Sequence, residues 1–144
     1  MELGSAVTEA NNFWGDEKMT RAELERFIME NYGAEPDYPW IKYPEYKVFR
    51  HQGNQKWFAL LMTVPKSRLG LESDEYIDIA DLKCDPFLLG SMCRLPGFYP
   101  GYHMNKNHWI TAVLDGTAAD EEIKMLLDMS YEATAPRYKK KKRG

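Results

Sequence analysis

Two strand-like runs joined by a short turn constrain the fold of this chain more than any other feature. The runs cover residues 46–52 and 55–64, and only Gly53 and Asn54 separate them. A two-residue connection that begins with glycine is typical of a tight β-hairpin. Alternation along the second run predicts two apolar faces, with Trp57, Ala59 and Leu61 on one and Phe58, Leu60 and Met62 on the other.

Further strands and helices follow from local signals. Strands are predicted near 75–83 and 109–114. A capping box of Thr20 and Glu23 begins a first helix, which ends at Gly33. Asp85 followed by proline begins a second helix, and a third begins near 117–120, where acidic residues favour the positive end of the helix dipole.

These elements predict one α+β domain. The expected architecture is an antiparallel sheet of about four strands with three flanking helices, in the order α-β-β-β-α-β-α. A chain of 144 residues with 44% hydrophobic and 28% charged side chains fits a single globular unit. We expect a flexible N-terminal arm over 1–18, the domain over 19–136 and a basic tail over 137–144.

Charge is unevenly distributed along the chain. Six of its 19 basic residues fall in the last eight positions, and the remaining 13 face 22 acidic residues, which leaves a body of formal charge −9. These six residues are Arg137, Lys139, Lys140, Lys141, Lys142 and Arg143. Such a tail can contact nucleic acid or an acidic surface, and the alternative is a solvated tail that aids solubility.

Other cations are candidates for phosphate contacts. Arg50 and Lys56 flank the predicted hairpin tip, Lys66 and Arg68 follow the hairpin, and Lys106 lies in a later loop. A hairpin with bases near its tip can enter a groove of DNA as a wing. The alternative is that they are ordinary surface cations that keep an edge strand soluble.

The segment 99–109 concentrates chemically versatile side chains. Its candidate pocket or groove residues are Tyr102, His103, Asn105, His108 and Trp109. In that interpretation the aromatic rings stack on a ligand and Lys106 meets an anion. In the alternative, the rings plug the sheet edge and the polar side chains fasten an irregular loop through hydrogen bonds.

Spacing gives no support for metal or nucleophilic chemistry. His103 and His108 are five positions apart, Cys84 and Cys93 are nine apart, and neither pair matches structural zinc. Phosphate-loop, dinucleotide, deaminase and nucleophile-elbow motifs are absent from the sequence. We therefore expect no enzyme, cofactor or metal. The sequence shows no signal peptide or membrane-length apolar run, so a cytoplasmic protein without membrane contact is expected.

Several segments together resemble one known family. They are residues 56–61, 82–86, 100–109 and 127–131, and they include KCDP at 83–86 and HMNKNHW at 103–109. From about residue 20 to residue 138 the chain resembles the MmcQ/YjbR family. That resemblance implies a CyaY-like fold and DNA binding through hairpins in a double-wing arrangement, and it brings no established catalytic residues.

The resulting functional expectation is a non-enzymatic binding module. The first hypothesis is that this module binds DNA weakly and in a salt-sensitive manner through the hairpin and tail cations. One alternative is a protein-interaction domain that presents the aromatic 99–109 segment to a partner. The other is a pocket around His103 for a small ligand or an enzyme reaction. The sequence leaves the oligomeric state open.

Overall fold

A computed structural model describes residues 19–137 of the chain. They form one antiparallel sheet of six strands in the order β1-β2-β3-β4-β6-β5. The strands are β1 (Pro36–Asp37), β2 (Lys47–Arg50), β3 (Trp57–Pro65), β4 (Tyr76–Lys83), β5 (Phe98–Pro100) and β6 (Trp109–Val113). A short 3₁₀ helix, Lys66–Leu69, follows β3. The predicted arm and most of the predicted tail lie outside the described residues.

Three helices form within residues 19–137, and the side chains predicted to cap the first two begin them. They are α1 (Arg21–Tyr32), α2 (Pro86–Met92) and α3 (Asp120–Thr134). Thr20 and Glu23 form the capping box of α1, and Gly33 ends that helix with a φ of 63°. The Asp85 carboxylate accepts a hydrogen bond from the Phe87 amide at the start of α2.

The sheet separates two apolar clusters. The larger lies between the sheet and the three helices, with Leu24, Ile28, Phe58, Ile110 and Leu126 among its fully buried members. The smaller lies on the opposite side, which we call the helix-free face. Its buried members are Val48, Leu60, Met62, Val64, Ile77, Ile79 and Val113. Side chains from loops cover this second cluster, and they shape the site described below.

A bulge in β3 corrects the predicted faces of that strand. The register shifts between Phe49 and Arg50, so that Phe49 pairs with Ala59 and Arg50 pairs with Trp57. Phe58 is the extra residue, and it packs in the larger core together with Ala59 and Leu61. Trp57 consequently packs with Leu60 and Met62 on the helix-free face. An inserted residue of this kind reverses strict alternation.

Two further predictions were wrong in detail. The sheet has six strands instead of about four, and the order is α-β-β-β-β-α-β-β-α, because the short strands β1 and β5 pair at the two sheet edges. The hairpin exists, but residues 51–56 connect its strands where a two-residue turn was expected. The His51 amide donates to the Lys56 carbonyl, and the Gln55 amide donates to the His51 carbonyl, which closes this longer turn.

Within residues 19–137, each helix is too short or too polar to cross a bilayer.

Candidate functional site

A cavity of about 490 Å³ opens on the helix-free face. Its floor consists of Leu60, Met62 and Val64, which are all buried and point to the same side of β3. Its walls come from segments far apart in sequence: 40–46 before β2, and 102–104 between β5 and β6. We call this space the aromatic cavity. Its size lies within the range that small-molecule sites occupy.

Aromatic rings brace one wall of the aromatic cavity. The Trp40 ring packs edge-on against Tyr46 and Trp57, with centroid distances of 5.9 and 5.5 Å. Tyr43 stacks on Tyr46 at 4.8 Å. Burial raises the pKa of Tyr46, with a further contribution from Tyr102, so the Tyr46 hydroxyl stays neutral. This wall presents rigid ring surfaces, which suit a planar apolar ligand.

Arg21 links helix α1 to the same wall. Its guanidinium donates to the Glu45 backbone carbonyl, to Thr63 Oγ1 at 2.7 Å and to Glu25 Oε2 at 3.0 Å. The side chain of Arg21 is only 13% exposed, and these three partners fix its position. Through the Glu45 carbonyl, the helix layer therefore helps to fix the position of the wall.

The loop of residues 101–108 forms the opposite wall and is held at both ends. The Gly101 amide donates to the Trp109 carbonyl at 2.8 Å. The Lys106 ammonium donates to the Gly101 carbonyl at 2.9 Å, and the Tyr102 amide donates to Thr111 Oγ1 at 2.8 Å. These bonds place Tyr102, His103 and Met104 along the cavity.

Two cations lie beside this loop. Arg68 Nη1 donates to the Tyr102 hydroxyl at 3.3 Å, and Arg68 borders both the aromatic cavity and a recess of about 180 Å³ next to it. Lys106 lines that recess together with Leu69, Tyr99, Pro100 and Tyr102. We call it the cationic recess. Among the described residues, neither Arg68 nor Lys106 forms an ion pair with a carboxylate.

A carboxyl group lies buried beneath the loop. Asp81 is 0% exposed and pairs with Leu60 of β3 and Thr111 of β6 across the sheet. Its Oδ1 accepts from Thr111 Oγ1 at 2.5 Å, while Oδ2 has no hydrogen-bond partner. Burial raises the pKa of Asp81 to about 7, against the opposing effects of the Thr111 hydrogen bond and the Lys106 charge. Asp81 therefore changes charge near neutral pH.

Comparisons with known proteins place the chain in a family. The family model described as YjbR matches residues 29–133. The chain belongs to the YjbR family. It is 42% identical over 116 residues to the protein YyaQ of Bacillus subtilis (strain 168), a match that covers 81% of this chain and 98% of YyaQ. A shorter match to the protein YjbR of Escherichia coli (strain K12) is 48% identical over 33 residues, and it covers 23% of this chain and 28% of that protein.

Solved structures support the same assignment. A crystal structure of a Pseudomonas syringae protein matches with a TM-score of 0.79 at 45% identity, and the match covers 81% of this chain and 99% of that one. A crystal structure of a Deinococcus radiodurans protein matches with a TM-score of 0.59 at 26% identity, covering 79% and 77% of the two chains. The predicted family, the α+β class, the three helices and the antiparallel sheet are thus confirmed for this YjbR-family chain.

The structure separates the residues predicted within 99–109. Tyr102 and His103 line the aromatic cavity, and their rings lie 4.1 Å apart. Asn105 Oδ1 accepts from the Asn107 amide and so shapes the loop itself. His108 lies in another recess beside Cys84, and Trp109 is buried at 8% exposure under the Lys83 ammonium. His103, Asn105 and Lys106 therefore do not converge on one point.

The predicted DNA-contacting cations also lie apart. Arg50 pairs with Asp37 at 2.8 Å, and Lys56 is exposed at the hairpin tip. Lys66 pairs with Glu75 at 3.4 Å beyond the other end of β3, about 30 Å away along nine strand residues. Among the predicted cations that lie within residues 19–137, only Arg68 and Lys106 share a recess. Arg137 is exposed, and Lys139, Lys140, Lys141, Lys142 and Arg143 lie outside the described residues. DNA binding stays a prediction.

Sequence reasoning missed Asp81 and the aromatic wall. A signal for Asp81 was available, because it continues the alternation of Ile77 and Ile79 along β4 and so belongs on their buried face. The wall residues Trp40, Tyr43 and Tyr46 lie in a proline-containing segment whose path local patterns do not determine. No group of three or more potential metal-ligating side chains occurs between residues 19 and 137.

Proposed function

We propose that this protein binds a small molecule that has a planar apolar body and an acidic group. The aromatic cavity with Arg68 at its rim is the observation that carries this proposal. The body lies between the ring wall and the 102–104 wall, over the apolar floor. The acidic group meets the Arg68 guanidinium, whose charge no described carboxylate pairs with. Glu45 lies on the opposite wall and disfavours an anion there.

Chemistry within the site favours binding over bond-making. The candidate loop side chains face different spaces, so no nucleophile with an adjacent base is assembled from them. A ligand body of rings and methyl groups gains from burial against the floor, at roughly 25 cal/mol per Å² of apolar surface. The hydrogen bond from Arg68 then sets its orientation.

The test compares two probes of the same shape. Naphthalenesulfonate carries a constant negative charge, and naphthalenemethanol is its neutral counterpart. Titration followed by amide resonances should show saturable one-to-one binding of both, with shifts at 60–64 and 102–104. The sulfonate should bind about tenfold more tightly, because a charged hydrogen bond contributes about 1.5 kcal/mol. Arg68→Gln should reduce that difference, and Arg94→Gln, at an exposed turn position after α2, should preserve it.

A blocking variant tests the location. Met104→Trp fills the cavity mouth and should weaken both probes, whereas Met125→Trp, at an exposed position of α3, should leave both unchanged. Non-saturable binding of both probes, or equal affinity in Met104→Trp and the native chain, contradicts the proposal.

A further inference from the structure

The cationic recess and the aromatic cavity are parts of one continuous surface. Arg68 and Tyr102 border both spaces and are joined by the 3.3 Å hydrogen bond between them. A ligand whose body occupies the cavity can therefore extend its acidic group past this pair. On the far side it meets the Lys106 ammonium, which is held against the Gly101 carbonyl. The cationic side chains of Arg68 and Lys106 thus both line the cationic recess.

Asp81 is buried in β4 and linked through Thr111 to the loop that contains Lys106. Its hydrogen-bond chain runs from the Tyr102 amide to Thr111 Oγ1 and from Thr111 to Asp81 Oδ1, at 2.8 and 2.5 Å. The loop of residues 101–108 thus contributes Tyr102 to the cavity wall and Lys106 to the recess, and it is linked to the buried carboxyl through Thr111. Lys106 is close enough that its charge favours ionised Asp81. An anion placed beside Lys106 counteracts that influence and favours protonated Asp81.

We propose that the cationic recess receives an oxyanion group of the ligand, such as a phosphate or sulfonate, and that Asp81 takes up a proton from solvent as the oxyanion binds. This inference rests on the proposed function and adds the regulation of the same site. With Asp81 neutral, the recess presents Arg68 and Lys106 without a compensating carboxylate below them. With Asp81 ionised, one of the two charges is offset. Binding of the oxyanion therefore strengthens as pH falls.

The pH dependence caused by Asp81 has to be distinguished from the titration of other groups near the site. Thr111 and Leu60 flank Asp81 on the neighbouring strands, and neither titrates. Tyr99 pairs with Thr111 from strand β5, and Tyr102 lines the cationic recess. His103 and Glu45 border the aromatic cavity, and imidazole groups commonly change charge between pH 5 and 8. The experiment therefore uses a His103→Asn background, since asparagine tolerates the positive φ of 62° at this position.

The probe is naphthalenesulfonate, because its own charge is constant over the pH range used. In the His103→Asn chain we expect affinity to be about fivefold higher at pH 6 than at pH 8. Adding Asp81→Asn should remove this dependence, and adding Lys106→Gln should reduce it while lowering affinity at pH 6. The neutral naphthalenemethanol should bind with similar affinity at pH 6 and pH 8.

A second measurement needs no substitution of the buried carboxyl. Calorimetry at pH 7 in buffers of different ionisation enthalpy counts the protons taken up as the sulfonate binds to the native chain and to His103→Asn. A fractional uptake that persists in His103→Asn supports the inference, and zero uptake there overturns it. Saturable binding with no pH dependence and no uptake leaves the proposed function intact and rejects only the coupling. Absence of binding by both probes rejects the proposed function itself.

Discussion

Asp81 shows how one buried side chain can make stability depend on pH. The folded state raises the pKa of its carboxyl to about 7, mainly through burial, from a usual value of 3.8. The folded chain therefore binds this proton more tightly than the unfolded chain does. Stability contributed by this group is greatest below pH 4 and is lost as pH rises towards 7, a change of about 4 kcal/mol.

Asp81→Asn should flatten this dependence. The amide cannot ionise, but its NH₂ group lacks an acceptor at the position of Oδ2, which costs about 1–3 kcal/mol. We expect the variant to be less stable than the native chain at pH 5 and equally or more stable at pH 8. Denaturant unfolding between pH 5 and pH 8 measures the pH at which the stability curves of the variant and the native chain cross.

Asp115 supplies a control of opposite sign. Burial opposes its ionisation, but hydrogen bonds from Thr117 and the Lys66 charge outweigh burial and lower its pKa. Asp115→Asn should therefore destabilise the chain at neutral pH. This loss of stability should shrink as pH falls through the pKa of Asp115 in the folded state. Parallel stability curves for native and Asp81→Asn chains would contradict the burial argument.

Among the elements, the helices follow local sequence signals and the loop beside β5 does not. Thr20, Glu23 and Asp85 cap helices through bonds to residues two or three positions away, so neighbouring residues suffice to predict them. The 101–108 loop instead depends on close approach of Gly101 to Trp109 of β6. A Cβ atom at Gly101 would lie 2.7 Å from the Trp109 Cβ and 2.8 Å from its carbonyl oxygen.

Gly101→Ala should disturb both stability and the site. Backbone atoms of β6 cannot yield easily, so we expect a loss of about 1–3 kcal/mol, as in overpacked cores. Because the loop moves, naphthalenesulfonate should also bind more weakly. Gly90→Ala is the matched control, since open space surrounds that helical glycine, and it should raise stability by about 0.5–1 kcal/mol. Equal behaviour of the two variants would exclude the close approach as the cause.

The tail of residues 137–144 and the rest of the chain carry opposite net charges. The predicted DNA contacts draw on a cationic tail attached to a body of formal charge −9. Within the described residues, the remaining predicted cations are divided between the two ends of β3 and the recess. Any affinity for duplex DNA should consequently come mainly from the tail and be sensitive to salt.

Deleting residues 137–144 tests this expectation. The slope of log affinity against log salt concentration should fall by up to about five, since six cations are removed and each phosphate contact contributes about 0.9. Filter retention of a duplex measures the slope, with Lys42→Gln as a control at an exposed position outside the predicted set. Undiminished binding after the deletion combined with Lys56→Ala and Lys106→Ala would refute this set of contacts.

Local signals predicted the starts of the three helices, the end of α1, four of the strands and the α+β class, because adjacent side chains carry those signals, and short motifs predicted the family. Tertiary structure decided which β3 residues face the cavity, since the bulge at Phe58 depends on pairing with β2. It also decided the six-strand order, the aromatic cavity and the isolation of the Asp81 carboxyl. These features arise where segments distant in sequence pack together, and local patterns do not specify which segments will meet.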